Sequence, residues 1–168
     1  MKVLLIVTGS VAAYKACELV REFKKRGDQV TCILTKGGEH FITPLQLTAL
    51  SGTETHTNLW ANMEHITLSR DADLILVAPA SADIIAKMVH GNADDLATST
   101  LLAANKPIYV APAMNVEMWK NPATQRNIKQ LKADGKIIIE PGNGDLACGE
   151  FGEGRMADIQ EIIKCLKS

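Results

Sequence analysis

Short apolar runs recur along the chain and alternate with stretches whose apolar residues repeat at helical spacing. Five runs have the length and composition of buried strands, namely residues 3–7, 29–34, 74–78, 108–111 and 136–139. Helical spacing fills residues 11–26, 41–50, 83–89, 96–104 and 122–134, and the end of the chain from about Asp158. This alternation predicts an α/β fold in a single domain over residues 1–168: an open parallel sheet with helices on both faces, a three-layer arrangement of Rossmann-like or flavodoxin-like type.

The turns that follow the predicted strands carry small and polar residues. They are Gly9-Ser10, Thr35-Lys36, residues 79–81, residues 113–115 and Asn143. In an open parallel sheet, ligands bind beyond the carboxyl ends of the strands, so we expect these turns to converge on one site. The backbone N–H groups of the first turn, with the hydroxyls of Ser10, Thr35 and Ser81, favour an anion such as a phosphate-bearing cofactor.

The first turn also indicates which cofactor fits. Residues 8–13, Thr-Gly-Ser-Val-Ala-Ala, lack the GxGxxG fingerprint of dinucleotide sites. The second strand ends in Thr35-Lys36, without an acidic residue for an adenosine ribose. A mononucleotide such as FMN is therefore favoured over a dinucleotide. The alternative is that glycine and serine only make turns here.

The segment 107–119, Pro-Ile-Tyr-Val-Ala-Pro-Ala-Met-Asn-Val-Glu-Met-Trp, joins the fourth strand to a compact polar elbow. Pro112 cannot donate to a sheet ladder, so the strand ends there and the next residues face the rim. Asn115 then lies just beyond the strand, with an amide that both donates and accepts. The alternative is that Asn115 only caps a turn, and that the methionines and tryptophan around it are ordinary core.

One histidine and one cysteine are candidates for acid–base chemistry. His65 lies just upstream of the third strand and is equally compatible with a structural hydrogen bond and with a general acid or base. Cys148 lies in a glycine-rich segment, residues 142–154, which predicts an exposed loop. There it could act as a proton donor or nucleophile on a lid. We expect the other cysteines to be inert core residues: Cys17, Cys32 and Cys165.

Composition excludes several functional classes. The chain of 168 residues is 46% hydrophobic and 22% charged, which is typical of a soluble globular protein. A formal net charge of -1 gives no reason to expect nucleic acid or an anionic membrane as a partner. The four cysteines form no CxxC pair and no zinc-site spacing, which predicts no metal site and reduced thiols in a cytoplasm. No apolar run approaches membrane-spanning length.

Four motifs resemble, in the same order, those of the phosphopantothenoylcysteine decarboxylases, which belong to the flavin-dependent cysteine decarboxylases. The motifs are TGSVAAYK at residues 8–15, PASADIIAK at 79–87, PAMNVEMW at 112–119 and ACGEFGEGRM at 147–156. The likeness covers essentially the whole chain, and four ordered motifs are more specific than any one of them. Related bifunctional bacterial proteins carry a second domain that joins cysteine to phosphopantothenate, for which 168 residues leave no room.

The resemblance implies a role for each matching residue. FMN would contact Gly9, Ser10, Val11, Thr35, Lys36, Ser81, Ala82, Asp83, Ile84 and Ala113. The substrate would contact Asn115, Met118 and Ala147. Asn115 would hold the substrate carboxylate, His65 would be the active-site histidine, and Cys148 would be the proton donor on the lid. The sequence departs from the family at Asp83, where asparagine is often found.

The implied reaction converts 4'-phosphopantothenoylcysteine into 4'-phosphopantetheine without net redox change. The flavin would oxidise the cysteine moiety to a thioaldehyde, carbon dioxide would leave, Cys148 would protonate the resulting enethiolate, and the reduced flavin would return the hydride. The resemblance also implies active sites formed between subunits of a homotrimer or an assembly of trimers such as a dodecamer. Trp60 or Phe41 would lie at the subunit contacts, and the enzyme would be cytoplasmic.

Relatives of the same family define the alternatives. A peptidyl-cysteine decarboxylase of lantibiotic biosynthesis would share the flavin site and Asn115 but need a peptide groove, which no sequence feature demands. A flavin-binding regulatory protein is expected to carry extra charged tails, which the sequence does not contain. A flavin prenyltransferase is disfavoured by the set His65, Asn115 and Cys148.

Overall fold

The structure is a computed structural model that describes residues 1–61, 63–145 and 149–166. Its strands are β1 Lys2–Val7, β2 Gln29–Leu34, β3 Thr55–His56, β4 Leu74–Ala80, β5 Ile108–Pro112, β6 Ile137–Ile138, β7 Gly142–Asp145 and β8 Phe151–Arg155. The first six form one parallel sheet in the order β3–β2–β1–β4–β5–β6, and β7 and β8 form an antiparallel hairpin. The predicted open parallel α/β sheet is confirmed.

Helices connect the strands. They are α1 Lys15–Lys25, α2 Lys36–Glu39, α3 Pro44–Ser51, α4 His65–Asp71, α5 Ala82–His90, α6 Leu96–Ala103, α7 Val116–Lys120, α8 Pro122–Ala133 and α9 Ile159–Cys165, with a short 3₁₀ helix Val11–Tyr14 before α1. Local signals set their ends: Thr43 Oγ1 accepts from Gln46 N at 3.2 Å to cap α3, and Gly52 ends that helix at φ 77°. None of the helices within the described ranges combines the length and hydropathy needed to span a bilayer.

Alternate residues of the central strand β1 face two separate apolar cores. Val3, Leu5 and Val7 pack in one core with residues of α1, α3 and α9. Leu4 and Ile6 pack in the other core with residues of α5, α6 and α8. A strand covered by helices on both faces reads as a continuous apolar run, which is why the sequence identifies β1 so clearly.

Two features of the sheet differ from the sequence predictions. The edge strand β3 pairs with Cys32 and Ile33 of β2 and was not among the five predicted strands, because two residues are too few to make a hydrophobic pattern. Strand β4 continues past its predicted end at residue 78 and includes Pro79. The ladder to β5 is irregular between Val77 and Ala80, which accommodates a residue without a backbone N–H.

The late glycine-rich segment also differs from its prediction as an exposed loop. It forms the β7–β8 hairpin, in which Gly142 pairs with Arg155 and Asp145 pairs with Phe151. Glycines have no side chains to alternate between two faces, so backbone pairing alone defines these strands and the sequence pattern misses them. The hairpin places this segment at the edge of the site.

Candidate active site

Two adjoining cavities open at the carboxyl edge of the sheet. The larger, which we call the cleft, has a volume of about 560 Å³, and the smaller, the side pocket, has a volume of about 350 Å³. Gly9, Ser81, Ala82 and Met118 line both. Because these walls are shared, a ligand in one cavity lies beside a ligand in the other.

All the predicted FMN contacts line these two cavities. They are Ser10, Val11 and Ala113 on the cleft, Thr35, Lys36, Asp83 and Ile84 on the side pocket, and Gly9, Ser81 and Ala82 on both. The predicted substrate contacts Asn115 and Met118 also line the cleft. The turn containing Asn143 contributes differently from the prediction, because Asp145 and not Asn143 lines the cleft.

Two glycines bring the turns after β1 and β2 together beside the side pocket. A Cβ built on Gly9 would lie 3.1 Å from the Gly37 Cα, and a Cβ built on Gly37 would lie 3.1 Å from the Gly9 Cα. Side chains rarely tolerate such short contacts, so this backbone approach depends on both residues being glycine. The two turns therefore present backbone groups to the pocket.

Thr8 ties the ends of β1 and β4 together. Its Oγ1 donates to the Pro79 carbonyl at 2.7 Å and accepts from Ser81 N at 3.0 Å. The side chain is buried, with 2% exposure. This bridge fixes Ser81 at the boundary between the two cavities. Sequence reasoning did not single out Thr8, because its partners lie more than seventy residues away along the chain.

The three predicted hydroxyl donors differ in what they can offer a ligand. Thr35 Oγ1 donates to the Val7 carbonyl at 3.3 Å and accepts from Gly38 N at 3.2 Å, so its proton is used within the fold. Ser10 Oγ accepts from Ala12 N at 3.3 Å, and Ser81 Oγ accepts from Ile84 N at 3.3 Å. A hydroxyl that accepts keeps its own proton to donate, so both serines remain suitable donors.

Asn115 has a side-chain amide whose orientation is fixed by the helix it caps. Its Oδ1 accepts from Glu117 N at 2.8 Å and from Met118 N at 3.2 Å at the start of α7. Because backbone N–H groups require an acceptor, the Nδ2 donor must point the other way, and it donates to the Glu150 carboxylate. Asn115 thus caps a helix, as one interpretation expected, and also directs a donor at a carboxylate of the same chain.

The β7–β8 hairpin packs against the elbow that carries Asn115. Met114 N donates to the Gly154 carbonyl at 2.9 Å. Gly154 has φ +124°, and a Cβ there would lie 2.5 Å from the Met114 carbonyl oxygen. Only glycine fits this position. The docked hairpin supplies Asp145, Gly154 and Arg155 to the wall of the cleft.

Two cations on the cleft are absent from the predicted site residues. Lys15 begins α1 and Arg155 ends β8, and both line the cleft. Lys15 Nζ lies 3.9 Å and Arg155 Nη2 lies 3.2 Å from the same Oδ1 of Asp158. Burial, followed by the positive charge of Arg155, lowers the pKa of Lys15 from its ordinary value. The sequence does carry a signal for both, since Lys15 ends the motif TGSVAAYK and Arg155 lies near the end of ACGEFGEGRM, each a basic residue close to the small residues of its motif.

A second group of charges borders the side pocket. Lys87 Nζ lies 3.0 Å from Asp94 Oδ2 and 3.4 Å from Asp83 Oδ2. The hydrogen bond between Lys87 and Asp94 raises the pKa of Lys87 and lowers the pKa of Asp94. Asp83 and Asp94 thus share the positive charge of Lys87, which offsets the negative charge of Asp83 in the first turn of α5 only in part.

Of the two residues expected to carry acid–base chemistry, the structure describes only His65. His65 begins α4 and is not among the described residues that line either cavity. Its Nδ1 is buried and has no hydrogen-bond partner within the described ranges. Ala147 and Cys148 lie outside the described residues. The roles of these three residues therefore stay predictions.

The remaining cysteines differ in exposure. Cys32 is buried, Cys17 is half-buried and Cys165 is exposed. The expectation of a core thiol is wrong for Cys165, because the apolar face of α9 runs through Ile162 and Ile163. Burial raises the pKa of Cys32 to about 12, which makes it a poor nucleophile.

Comparison with known sequences identifies relatives over the whole chain. The sequence profile of the family described as Flavoprotein matches residues 1–168. The chain is 45% identical over 167 residues to the "Coenzyme A biosynthesis bifunctional protein CoaBC" of Bacillus subtilis, covering 96% of this chain and 41% of that protein. It is 43% identical over 170 residues to the "Probable phosphopantothenoylcysteine decarboxylase" of Streptococcus mutans, covering 97% of this chain and 95% of that protein. The chain thus spans about two fifths of the bifunctional relative and nearly all of the Streptococcus mutans protein.

Solved structures share the fold. A PPC decarboxylase mutant complexed with pantothenoylaminoethenethiol aligns with a TM-score of 0.88 at 34% identity, covering 99% of this chain and 96% of that one. The FMN-dependent cysteine decarboxylase SpaF aligns with a TM-score of 0.86 at 30% identity, covering 98% of this chain and 94% of the SpaF chain. With a profile that matches from the first residue to the last and a full-length relative of 43% identity, the chain belongs to the Flavoprotein family.

Proposed function

We propose that this protein catalyses the FMN-dependent decarboxylation of 4'-phosphopantothenoylcysteine to 4'-phosphopantetheine, a step in coenzyme A biosynthesis. The observation that carries the proposal is the fixed amide of Asn115, a residue that lines the cleft and directs a donor at the Glu150 carboxylate. The names of the relatives and of the aligned PPC decarboxylase support the same reaction. The Streptococcus mutans relative, matched over nearly its whole length, favours this substrate over a peptide.

The side pocket and the adjoining part of the cleft fit FMN. The contact between Gly9 and Gly37 leaves backbone, not side chains, facing the pocket, which suits the close approach of a phosphate. Ser81 lies at the N-terminus of α5 with a hydroxyl proton to donate. Gly9, Ser10 and Ser81 would hold the cofactor together with the other predicted contacts on the two cavities. When bound, FMN supplies reversible two-electron redox chemistry at the cysteine moiety.

The chain itself would position the substrate. Asn115 would bind the carboxylate of the cysteine moiety through Nδ2, and the N-cap bonds would keep that donor in place throughout the reaction. Met118 borders both cavities and is 48% exposed, so its thioether would cover the boundary between cofactor and substrate. Ala147 is proposed as a further substrate contact and Cys148 as the proton donor, both on the resemblance alone.

The same proposal includes an oligomer, a homotrimer or an assembly of trimers. His65 does not line the cleft of its own chain among the described residues, which fits a histidine supplied by a neighbouring subunit. Trp60 and Phe41 are 78% and 50% exposed, and large exposed apolar side chains favour subunit contacts. Light scattering of the purified protein tests this part, and a monomeric mass would contradict it. A cytoplasmic location also belongs to the proposal, since the cysteines lack a pairing pattern.

The decisive experiment incubates the FMN-loaded protein with 4'-phosphopantothenoylcysteine and follows the products by mass spectrometry. We expect loss of carbon dioxide and appearance of 4'-phosphopantetheine. The matched control is Asn115→Asp, which keeps an N-cap acceptor but removes the amide donor, and it should abolish turnover in a folded protein. A flavin-loaded protein that leaves the substrate intact would contradict the proposal. Decarboxylation of a cysteine-ended peptide instead would indicate a peptidyl-cysteine decarboxylase.

A further inference from the structure

We propose that Lys15 and Arg155 form the subsite for the terminal phosphate of the substrate, and so determine selectivity for the phosphorylated over the unphosphorylated compound. The inference rests on the proposed function, because it concerns the same cleft. It adds a binding site for the end of the substrate opposite to the carboxylate. Neither residue was assigned a role from the sequence.

Both cations line the cleft, and both form an ion pair with the same carboxylate. Lys15 Nζ and Arg155 Nη2 lie 3.9 Å and 3.2 Å from Asp158 Oδ1. Arg155 donates a hydrogen bond to this oxygen, whereas Lys15 only forms an ion pair with it. An ammonium has three N–H donors and a guanidinium has five, so the shared oxygen engages only a small part of their capacity. The side chains of Lys15, Arg155 and Asp158 carry two positive charges and one negative charge, so this group by itself is net positive, although Glu18 also acts on Lys15 with a negative charge. A phosphate dianion has the charge and the acceptors that this arrangement requires.

The chain holds this group in place without a ligand. Gly144 lies against Arg155, and a Cβ at Gly144 would be 3.0 Å from Arg155 Nη1, so the absence of a side chain makes room for the guanidinium. Asp158 precedes α9, and its backbone N–H donates to Glu161 Oε2 at 3.2 Å. Such preorganisation lowers the entropic cost of binding an anion.

A bound anion would also stabilise the charged form of Lys15. Its side chain is only 12% exposed, and burial together with Arg155 disfavours its charged form. A dianion between the two cations would offset both effects. Asp145 also lines the cleft and is the one carboxylate among its described lining residues, so two of the three charged side chains in that lining are cations.

The cofactor phosphate is a competing occupant and can be separated from the substrate phosphate. Lys15 and Arg155 line the cleft and are not among the described residues of the side pocket, where Thr35, Lys36 and Gly37 lie. We therefore expect FMN affinity to be insensitive to both cations. Titration of apoprotein with FMN, followed by quenching of flavin fluorescence, measures this directly.

The experiment compares 4'-phosphopantothenoylcysteine with pantothenoylcysteine in the wild-type protein and in the variants Lys15→Gln and Arg155→Gln. The kcat/KM for the phosphorylated compound divided by that for the unphosphorylated compound should fall by about 10- to 100-fold in each variant, because each variant loses one charged hydrogen bond to the phosphate. Arg155→Lys should restore part of the ratio. Lys24→Gln, at the exposed far end of α1, is the matched control and should leave the ratio unchanged.

The outcomes separate the inference from the proposed function. A wild-type protein that decarboxylates neither compound refutes the proposed function. If the wild-type protein is active but both variants lose the same factor on the two compounds, the phosphate subsite is refuted while the function stands. Weakened FMN binding with an unchanged ratio would also refute the subsite and assign the cations to the cofactor.

Discussion

The side-chain amide of Asn115 donates a hydrogen bond to the carboxylate of Glu150, a residue of the segment that leads into β8. The donor proposed for the substrate carboxylate is thus engaged by a carboxylate of the same chain. Nδ2 has two N–H groups, and under the proposed function the substrate carboxylate would bind there beside Glu150 or in its place. In either arrangement the negative charge of Glu150 opposes the substrate carboxylate, so we expect Glu150 to compete with substrate binding.

Replacement of Glu150 by glutamine should relieve this competition. A neutral amide oxygen accepts a weaker hydrogen bond than a carboxylate, so KM for the substrate should fall by about 3- to 10-fold. Steady-state kinetics measures the change. Glu153→Gln, an exposed substitution in the same hairpin, is the matched control and should leave KM unchanged. An unchanged KM in Glu150→Gln would mean that the substrate does not use this donor.

Two substitutions of Asn115 should separate its structural role from its binding role. Asn115→Ala removes the cap of α7 and should cost about 1 kcal/mol of unfolding free energy as well as activity. Asn115→Asp keeps a cap acceptor but places a negative charge where the substrate carboxylate binds, so stability should be retained while turnover falls by at least about 100-fold. Urea unfolding and product formation give the two readouts. Repeating Asn115→Asp in a Glu150→Gln background removes the repulsion between neighbouring carboxylates. Activity that survives Asn115→Asp would contradict the binding role.

Gly154→Ala should damage the site more than other glycine substitutions in the hairpin. Its φ of +124° and the 2.5 Å approach to the Met114 oxygen mean that either the hairpin or the elbow must shift. We expect a loss of about 2 kcal/mol or more in unfolding free energy and reduced turnover. Gly142→Ala is the control, since its Cβ would meet only the Arg155 oxygen at 3.9 Å, and it should change stability by less than about 0.5 kcal/mol. Equal effects of the two substitutions would contradict the assigned role of Gly154.

The preference for a phosphorylated substrate should depend on pH through Lys15. The phosphate requires the protonated ammonium, so the preference is present below the pKa of Lys15 and is lost as pH rises through it. Since burial and Arg155 lower that pKa from its ordinary value of 10.5, the loss should begin at a lower pH than for an exposed lysine. The ratio of kcat/KM values for the two substrates, measured from neutral to alkaline pH, checks this. Lys15→Gln should remove the pH dependence, and a persistent decline in that variant would assign it to another group.

Thiol labelling should follow exposure. Cys165 is exposed and should react with an alkylating reagent before Cys32, which is buried with a pKa raised to about 12 and should react only after unfolding. Peptide mapping by mass spectrometry at successive times gives the order. Labelling of Cys32 in the folded protein at the rate of Cys165 would contradict the position of β2 in the core.

The parts of the site that could be predicted from sequence lie where a strand ends. Buried parallel strands such as β1 and β5 produce uninterrupted apolar runs, and the rule that ligands bind beyond their carboxyl ends then locates Gly9 and Ala113. The same rule includes Ser81, and the resemblance to a known family adds residues such as Asp83 and Ile84 one by one. These positions follow from local pattern, and the structure gathers them on two adjoining cavities.

The parts that could not be predicted depend on contacts between distant segments. The Thr8 bridge to Pro79 joins residues 71 positions apart, and the contact from Asn115 to Glu150 spans 35 positions. Hydrogen bonds of this kind leave no periodicity in the sequence. The guanidinium of Arg155 reaches the cleft because Gly144 is small, which is a property of two paired strands and not of either one alone.

The shared walls of the two cavities have a consequence for how the protein is made. Every described residue of the side pocket lies between Thr8 and Met118, whereas the cleft also needs residues of the hairpin up to Met156. A chain emerging from the ribosome therefore presents all the predicted cofactor contacts of the side pocket before the last wall of the cleft has been translated. Binding of FMN at the side pocket would need no residue of the hairpin, so it could precede completion of the cleft during synthesis.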